Sequence, residues 1–253
     1  MTRTLFTALA LLGAAAPLTA ADKESRVFEL RVYTTAADKL DAFTANVRDG
    51  SSKRFVKYGM TPLGYFVPVE NKDGKFYILL AHASEAARTA SWAAQKADPE
   101  SVAALAKLKA DGVVTKTEEI LLAETDYSPK VEVAQADPTR LFELRTYTTT
   151  PGNLAALDAR FRDHTQTLFA KHGMTNLWYY HLTPESKAAD ATMIYLLAHV
   201  SAEARAKSFD DFRKDAAWTA ALKASETKAG GPLTTKNGVQ SVILKPTDFS
   251  PIK

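Results

Sequence analysis

The sequence of 253 residues contains no cysteine. Disulfide bonds, thiolate metal sites, iron–sulfur clusters and cysteine nucleophiles are therefore excluded. Hydrophobic residues make up 46% of the chain, which is enough to build an ordinary apolar core. We expect a fold that is stabilised by non-covalent packing rather than by cross-links.

The chain also has little excess charge of either sign. Its 32 Lys and Arg residues are nearly balanced by 29 Asp and Glu residues, which gives a net charge of +3, and the basic residues form no stripe. Nucleic acid is therefore not an expected partner. Gly-rich nucleotide-binding loops and the GxSxG motif of hydrolases are absent as well, which disfavours nucleotide binding and serine hydrolysis.

Long apolar runs are rare, and one lies near the start of the chain. Residues 5–16 are apolar, follow Arg3 and precede small residues, which is the layout of a secretory signal peptide. The run is shorter than the roughly 20 apolar residues that span a bilayer, and charges interrupt every later apolar segment. We predict that residues 1–21 are a signal peptide, cleaved after Ala20 or Ala21. The mature protein would be exported, periplasmic or secreted, without stable membrane insertion.

The rest of the chain repeats itself. Four landmarks recur in the same order, at offsets of 114, 114, 117 and 122 residues. The pairs are FELRVYTT and FELRTYTT, KYGMTPLGYF and KHGMTNLWYY, LLAHAS and LLAHVS, and TDYSP and TDFSP. Ordered matches of this length indicate a tandem duplication. We assign the first domain to residues 22–129, the linker to residues 130–139 and the second domain to residues 140–253.

Each copy shows the same succession of hydrophobic periods. Strand-like and amphipathic helical segments follow one another in the order βαββαβ. This order is that of the ferredoxin-like unit, an α+β unit whose antiparallel sheet carries both helices on one face. Two copies can cover each other's open sheet faces, which gives a physical reason for the duplication.

The first strand of each copy alternates apolar and polar residues. In the first copy Phe28, Leu30 and Val32 point to one side, and we expect this side to lie under the helices. The opposite side would face the space that the two sheets enclose. It carries Glu29, Arg31 and Tyr33 in the first copy and Glu143, Arg145 and Tyr147 in the second. Two roles stay open for these groups: an ion pair that braces the two sheets, or contacts with the polar end of a ligand.

Two histidines and one tryptophan complete the candidate ligand-binding residues. His82 and His199 end the third strands of the two copies, where each could act as an acid, a base or a haem ligand, or form a hydrogen bond at the strand end. Trp178 stands where the first copy has Gly64, so we expect cavities of different size in the two halves. The other histidines lack the spacing of an HExxH motif, so we predict no metal site.

At these motifs the sequence resembles the NIPSNAP family. The resemblance is carried by FELRTYTT, FRDHTQTLFAKHGM, YLLAHVSAEAR and LKPTDFSP of the second copy, and it covers nearly the whole chain after residue 21. It implies a dimeric α+β barrel, formed here within one chain by two tandem ferredoxin-like units. The wider superfamily includes cofactor-free monooxygenases, small-ring isomerases and haem enzymes, but the family has no agreed catalytic residues to carry over.

From these features we predict that the barrel binds a small, largely apolar molecule with an anionic or carbonyl end. Arg31 and Arg145 would hold that end, and Tyr33 and Tyr147 would donate hydrogen bonds to it. Two alternatives of other kinds stay open. One is a scaffold protein with a solid barrel and an exposed apolar patch. The other is an enzyme similar to the cofactor-free oxygenases or isomerases, or a haem-binding protein that uses the two strand-end histidines. No cofactor is expected under the leading hypothesis, and homodimerisation is left open.

Overall fold

A computed structural model describes residues 26–136 and 139–253, and the predicted signal peptide lies outside them. These residues form two units with matching elements. The first unit contains β1 (Val27–Thr35), α1 (Leu40–Asn46), a π-helical turn (Val47–Ser51), α2 (Ser52–Lys57), β2 (Thr61–Pro68), β3 (Lys75–His82), α3 (Glu85–Ala97), α4 (Pro99–Ala110) and β4 (Val114–Glu124). The second contains β5 (Leu141–Thr149), α5 (Leu154–Arg160), a π-helical turn (Phe161–Thr165), α6 (Gln166–Lys171), β6 (Thr175–Leu182), β7 (Thr192–His199), α7 (Ala202–Lys214), α8 (Ala216–Ala229) and β8 (Thr234–Pro246).

The eight strands form one closed barrel. Their order is β1-β3-β2-β8-β5-β7-β6-β4, and β4 pairs back with β1. Each unit supplies four neighbouring antiparallel strands, and the seams between the units are β2–β8 and β4–β6. This confirms the predicted α+β fold, in which two ferredoxin-like units form an intramolecular dimeric α+β barrel. No helix among the described residues is long and apolar enough to cross a bilayer.

The interior of the barrel is apolar, and the orientation that we predicted for the first strands is wrong. Phe28, Leu30 and Val32 point into the barrel, where they pack with residues of the second unit such as Phe142 and Trp178. The space left between these side chains is about 20 Å³, room for no more than a water molecule. The polar residues of β1 and β5 lie beneath the helices instead. Charges inside the barrel would meet only hydrocarbon, whereas the helices bring polar partners to them.

Each predicted second helix is a pair of helices. α3 ends at Asp98, whose backbone is extended (φ −71°, ψ 122°) and whose carboxylate accepts hydrogen bonds from the N–H groups of Glu100 and Ser101 at the start of α4. Pro99 keeps Asp98 out of the helical conformation. Asp215 separates α7 from α8 in the same way, without a proline. The break allows α4 and α8 to take directions independent of α3 and α7.

The repeated TDYSP and TDFSP motifs fasten each unit to the other. After β4, the N–H group of Thr125 donates to the carbonyl oxygen of Tyr179, and the N–H group of Tyr179 donates to Oγ of Ser128. After β8, Thr247 and Ser250 form the corresponding two bonds with β2 of the first unit. The aromatic residue in the middle of each motif packs in the helix-side core of the opposite unit. Each motif therefore links its own unit to the other unit through two hydrogen bonds and one aromatic side chain.

The helices α4 and α8 have matching positions but different anchors. α8 buries Ala221 and packs Trp218 on Phe212, with ring centroids 4.4 Å apart. No residue of α4 is fully buried, and Leu105 is 66% exposed. The first unit therefore has a loosely held helix where the second has a firmly packed one.

We expect the backbone amides of α4 to exchange with solvent faster than those of α8, because opening α4 exposes less buried surface. Hydrogen–deuterium exchange with mass spectrometry of peptides from residues 99–110 and 216–229 measures the difference. Equal protection of the two helices would contradict this assignment.

Candidate functional site

A cavity of about 580 Å³ lies between the sheet and the helices of the first unit. One wall consists of β1, β3 and β4, and the other consists of α1, the π-helical turn, α2, α3 and α4. Most of the lining is apolar, and π-helical turns are frequent at functional sites. The main apolar side chains are those of Phe43, Val47, Phe55, Ile78, Trp92 and Leu108. We regard this cavity as the candidate functional site.

A buried carboxylate ties the sheet wall of the cavity to α3. Glu29 is 0% exposed and accepts hydrogen bonds from Arg31 Nη1 at 2.5 Å, Arg88 Nε at 2.8 Å and Trp92 Nε1 at 2.9 Å. His82 Nε2 lies 3.2 Å from the same carboxylate. Arg88 and Trp92 are four residues apart on α3, so they share the helix face that meets the sheet.

These partners keep Glu29 ionised. Burial by itself raises the pKa of the carboxyl group, but the contact with His82, the charge of Arg31 and the hydrogen bonds from Arg88 and Trp92 outweigh it and lower the pKa to about 2. A buried charge of this kind is stable only while its partners are complete. The contact between α3 and the sheet therefore depends on Glu29.

Arg31 is held from several sides. Besides its bond with Glu29, its Nη2 donates to Glu119 at 2.7 Å and its Nε donates to the hydroxyl of Tyr33 at 2.7 Å. The guanidinium lies over the ring of Trp92, 4.3 Å from the centroid. With all three nitrogens engaged, Arg31 braces β1 against β4 and α3. The brace joins the sheet to a helix, and the two sheets are not bridged by it.

The second unit repeats this network with different residues at two positions, one of which is Phe209 in place of the donor Trp92. Glu143 is buried and accepts one hydrogen bond from Arg145 at 2.5 Å and two from Arg205 at 2.6 and 2.8 Å. The strand position of Glu119 is taken by Ser241, which pairs with Arg145 across the ladder. Among the described residues, Arg145 therefore has no second carboxylate, and its Nε has no hydrogen-bond partner.

The structure separates the predicted ligand-binding residues into several groups. Arg31 and Tyr33 line the cavity, and Glu29 and His82 lie behind them. The corresponding cluster of the second unit consists of Glu143, Arg145, Tyr147 and His199. Trp178 points into the barrel. Trp178 and Gly64 therefore do not set the size of a cavity, contrary to our expectation. The ring of Phe66 already occupies the space that a side chain at Gly64 would enter.

The strand-end histidines do not fit the role of haem ligands. His82 and His199 are each 2% exposed, and the Nε2 atom of each lies 3.2 Å from a buried carboxylate. Neither residue lines the cavity. Across residues 26–136 and 139–253, no group of three or more histidine, aspartate or glutamate residues is placed to hold a metal ion.

Three polar groups in the cavity wall were missed by the sequence analysis. Arg54 of α2 donates to Oγ of Ser51 at 3.3 Å, and its Nε has no hydrogen-bond partner in the described part of the chain. The buried atoms Gln95 Oε1 and Ser101 Oγ likewise have no partner there. Because buried polar groups are nearly always paired, three in one wall mark a place where a ligand can bind. One signal was present in the sequence: Leu168 of the second copy stands where the first has Arg54.

The lowered pKa of Glu29 makes part of the free energy of unfolding depend on pH. The carboxyl group ionises near pH 4.5 in the unfolded chain and near pH 2 in the folded protein. Its contribution is therefore complete above the unfolded pKa and is lost as the pH falls toward the folded pKa. The difference corresponds to on the order of 3 kcal/mol. We expect the Glu29→Gln variant to be less stable at neutral pH and to lose less stability on acidification.

Urea unfolding at a series of pH values measures both effects. The matched control is Glu70→Gln, which changes an exposed glutamate after β2 and should leave the acid dependence as it is. If Glu29→Gln kept the acid dependence of the unmodified protein, Glu29 would not be the buried anion described above.

Three solved structures share the architecture of this protein. A candidate monooxygenase from Fusobacterium nucleatum is 11% identical, with a TM-score of 0.56 over 88% of this chain and 93% of the other. A candidate monooxygenase from Lactobacillus acidophilus has the same identity and TM-score, over 88% and 94% of the two chains. An anthrone oxidase-like protein is 14% identical, with a TM-score of 0.55 over 92% and 95%. At these identities the likeness shows the fold alone.

Comparison with curated proteins finds no match. The sequence does match the NIPSNAP family, over residues 28–129 and again over residues 142–251. Each match covers one unit of the barrel, and together they cover most of the chain. The chain therefore belongs to the NIPSNAP family and carries two NIPSNAP domains in tandem.

Proposed function

We propose that this protein binds a small, largely apolar molecule with an anionic or carbonyl end in the cavity of the first unit. The volume of about 580 Å³ falls within the range of sites for small organic ligands, which are mostly apolar with a few polar groups at fixed places. The site thus lies between sheet and helices, and the barrel interior, where we first expected it, is filled.

Arg54 is the group best suited to hold the anionic end. Arg31, to which we first gave this role, already forms ion pairs with Glu29 and Glu119. Among the described residues no carboxylate lies within 4.0 Å of Arg54. Its guanidinium packs against Gly50, where a Cβ atom would come within 2.8 Å of it. A carboxylate bound in the cavity would supply the charge-assisted hydrogen bonds that Arg54 lacks.

Two uncharged groups support the same polar end. Ser101 has a hydroxyl that can donate to a ligand oxygen, and Gln95 has a carbonyl oxygen that can accept from a ligand hydroxyl or amide. A ligand that pairs with these atoms supplies the hydrogen-bond partner that a buried polar group requires, and the lack of such a partner costs about 1–3 kcal/mol.

The loosely held helix α4 is the side through which we expect the ligand to enter. Val102 and Leu105 belong to the cavity lining and are 54% and 66% exposed. Apolar side chains in this position would become covered when a ligand fills the cavity and α4 settles on it. The setting that we propose is the periplasm or the extracellular space, because residues 1–21 have the layout of a signal peptide.

The proposal predicts a specific loss of binding in the Arg54→Leu variant. Leucine is the residue of the second unit at this position, so the fold should tolerate it. We expect the affinity for 8-anilinonaphthalene-1-sulfonate, an aromatic probe with an anionic group, to fall roughly tenfold or more. The reason is the loss of a hydrogen bond to a charged group, about 1.5–3 kcal/mol. Fluorescence titration of the folded protein measures the dissociation constant.

The matched control is Lys53→Leu, which removes the same charge from an exposed neighbour outside the cavity. Its dissociation constant should equal that of the unmodified protein. An unchanged constant in Arg54→Leu, or an equal loss in both variants, would argue against Arg54 as the anion-binding group.

A further inference from the structure

The two units have the same framework but a different filling. At three matching positions the first unit has an aliphatic or small residue and the second has an aromatic one. Val47 and Phe161 begin the two π-helical turns. Ile78 and Tyr195 pair across the ladder with Arg31 and Arg145. Ser101 and Trp218 each lie three residues after the aspartate that separates the two helices. All three first-unit residues line the cavity.

The aromatic rings of the second unit lie where the first unit is open. Phe161 and Tyr195 both pack on Tyr147, with ring centroids 5.7 and 5.4 Å away. The first-unit residue that matches Tyr147 is Tyr33, which lines the cavity. The side chains of the second unit therefore show which groups this framework accepts in that volume.

The hydroxyl group of Tyr195 indicates a hydrogen bond that a ligand could form in the first unit. It donates to the hydroxyl of Tyr147, with 3.1 Å between the oxygens. In the first unit the hydroxyl of Tyr33 accepts from Arg31 Nε at 2.7 Å, and a hydroxyl oxygen can accept a second hydrogen bond. A ligand hydroxyl placed as that of Tyr195 is placed would donate to Tyr33.

At two positions in its wall the first unit has the larger aromatic side chain. Phe43 and Trp92 stand where the second unit has Leu157 and Phe209, and with Phe55 they give the cavity an aromatic wall. Aromatic rings attract one another in edge-to-face and offset arrangements. Such a wall favours a flat aromatic molecule over a flexible aliphatic chain.

From this exchange we infer that the ligand is an aromatic compound of two or more rings with a phenolic hydroxyl and an anionic group. Its rings take the places that Phe161 and Tyr195 take in the second unit. Its hydroxyl donates to Tyr33, and its anionic group pairs with Arg54. The inference rests on the proposed function and adds the chemical class of the ligand to it.

Isothermal titration calorimetry with three carboxylates tests the inference. The probes are 6-hydroxy-2-naphthoate, 2-naphthoate, which lacks the hydroxyl, and decanoate, which lacks the rings. We expect the hydroxynaphthoate to bind about tenfold more tightly than 2-naphthoate, and decanoate to bind most weakly. In the Tyr33→Phe variant the hydroxynaphthoate should bind only as well as 2-naphthoate does. The Ile78→Tyr variant, which has the filling residue of the second unit, should stay folded by circular dichroism and lose both naphthoates.

Each other outcome has a defined meaning. If decanoate bound more tightly than either naphthoate, the aromatic class would be wrong while the proposed function stood. Equal binding of the two naphthoates would overturn the assignment of a phenolic hydroxyl to the ligand. Naphthoate binding that survived Ile78→Tyr would overturn the placement of the rings. Binding of none of the three probes would overturn both the inference and the proposed function.

Discussion

The rest of the structure depends on a buried carboxylate in the first strand of each unit. Glu29 and Glu143 are 0% exposed, and a buried carboxylate must be surrounded by donors. The donors come from α3 and α7, as Arg88, Trp92 and Arg205. This requirement turns the polar side of each first strand toward the helices. The apolar side then fills the barrel, and the cavity of the first unit lies between sheet and helices.

The fold could be predicted from the sequence. Which face of each first strand points into the barrel could not. The repeat and its periods were sufficient for two ferredoxin-like units, because each element shows its own hydrophobic period. β3, with the sequence KFYILLAH, is apolar on both faces, so it gave no reference for the alternation in β1. The informative segment was α3, where Arg88, Ser91 and Trp92 share the inward face. Its polar character required a polar sheet face opposite.

The candidate site was only partly visible for the same reason. Arg31 and Tyr33 were identified because they belong to a repeated motif, but repetition selects what both units need, and both units need the brace. The residues that distinguish the units differ between the copies. Ser101 and Trp218 differ in this way, and so do Arg54 and Leu168. Only the structure shows that the first-unit residues of these pairs line one cavity. It also shows that the TDYSP and TDFSP motifs form hydrogen bonds between the two units.

The duplication has therefore produced two halves that differ in packing: aromatic rings of the second unit surround Tyr147, whereas the first unit has the cavity of about 580 Å³ in which we propose that a ligand binds. Native mass spectrometry of the protein isolated gently from its own cells, compared with its denatured mass, tests this division most directly. We predict an excess mass of one small molecule per chain, which disappears when Val47→Phe and Ser101→Trp fill the cavity. Two molecules per chain, or an excess mass that persists in the filled variant, would contradict it.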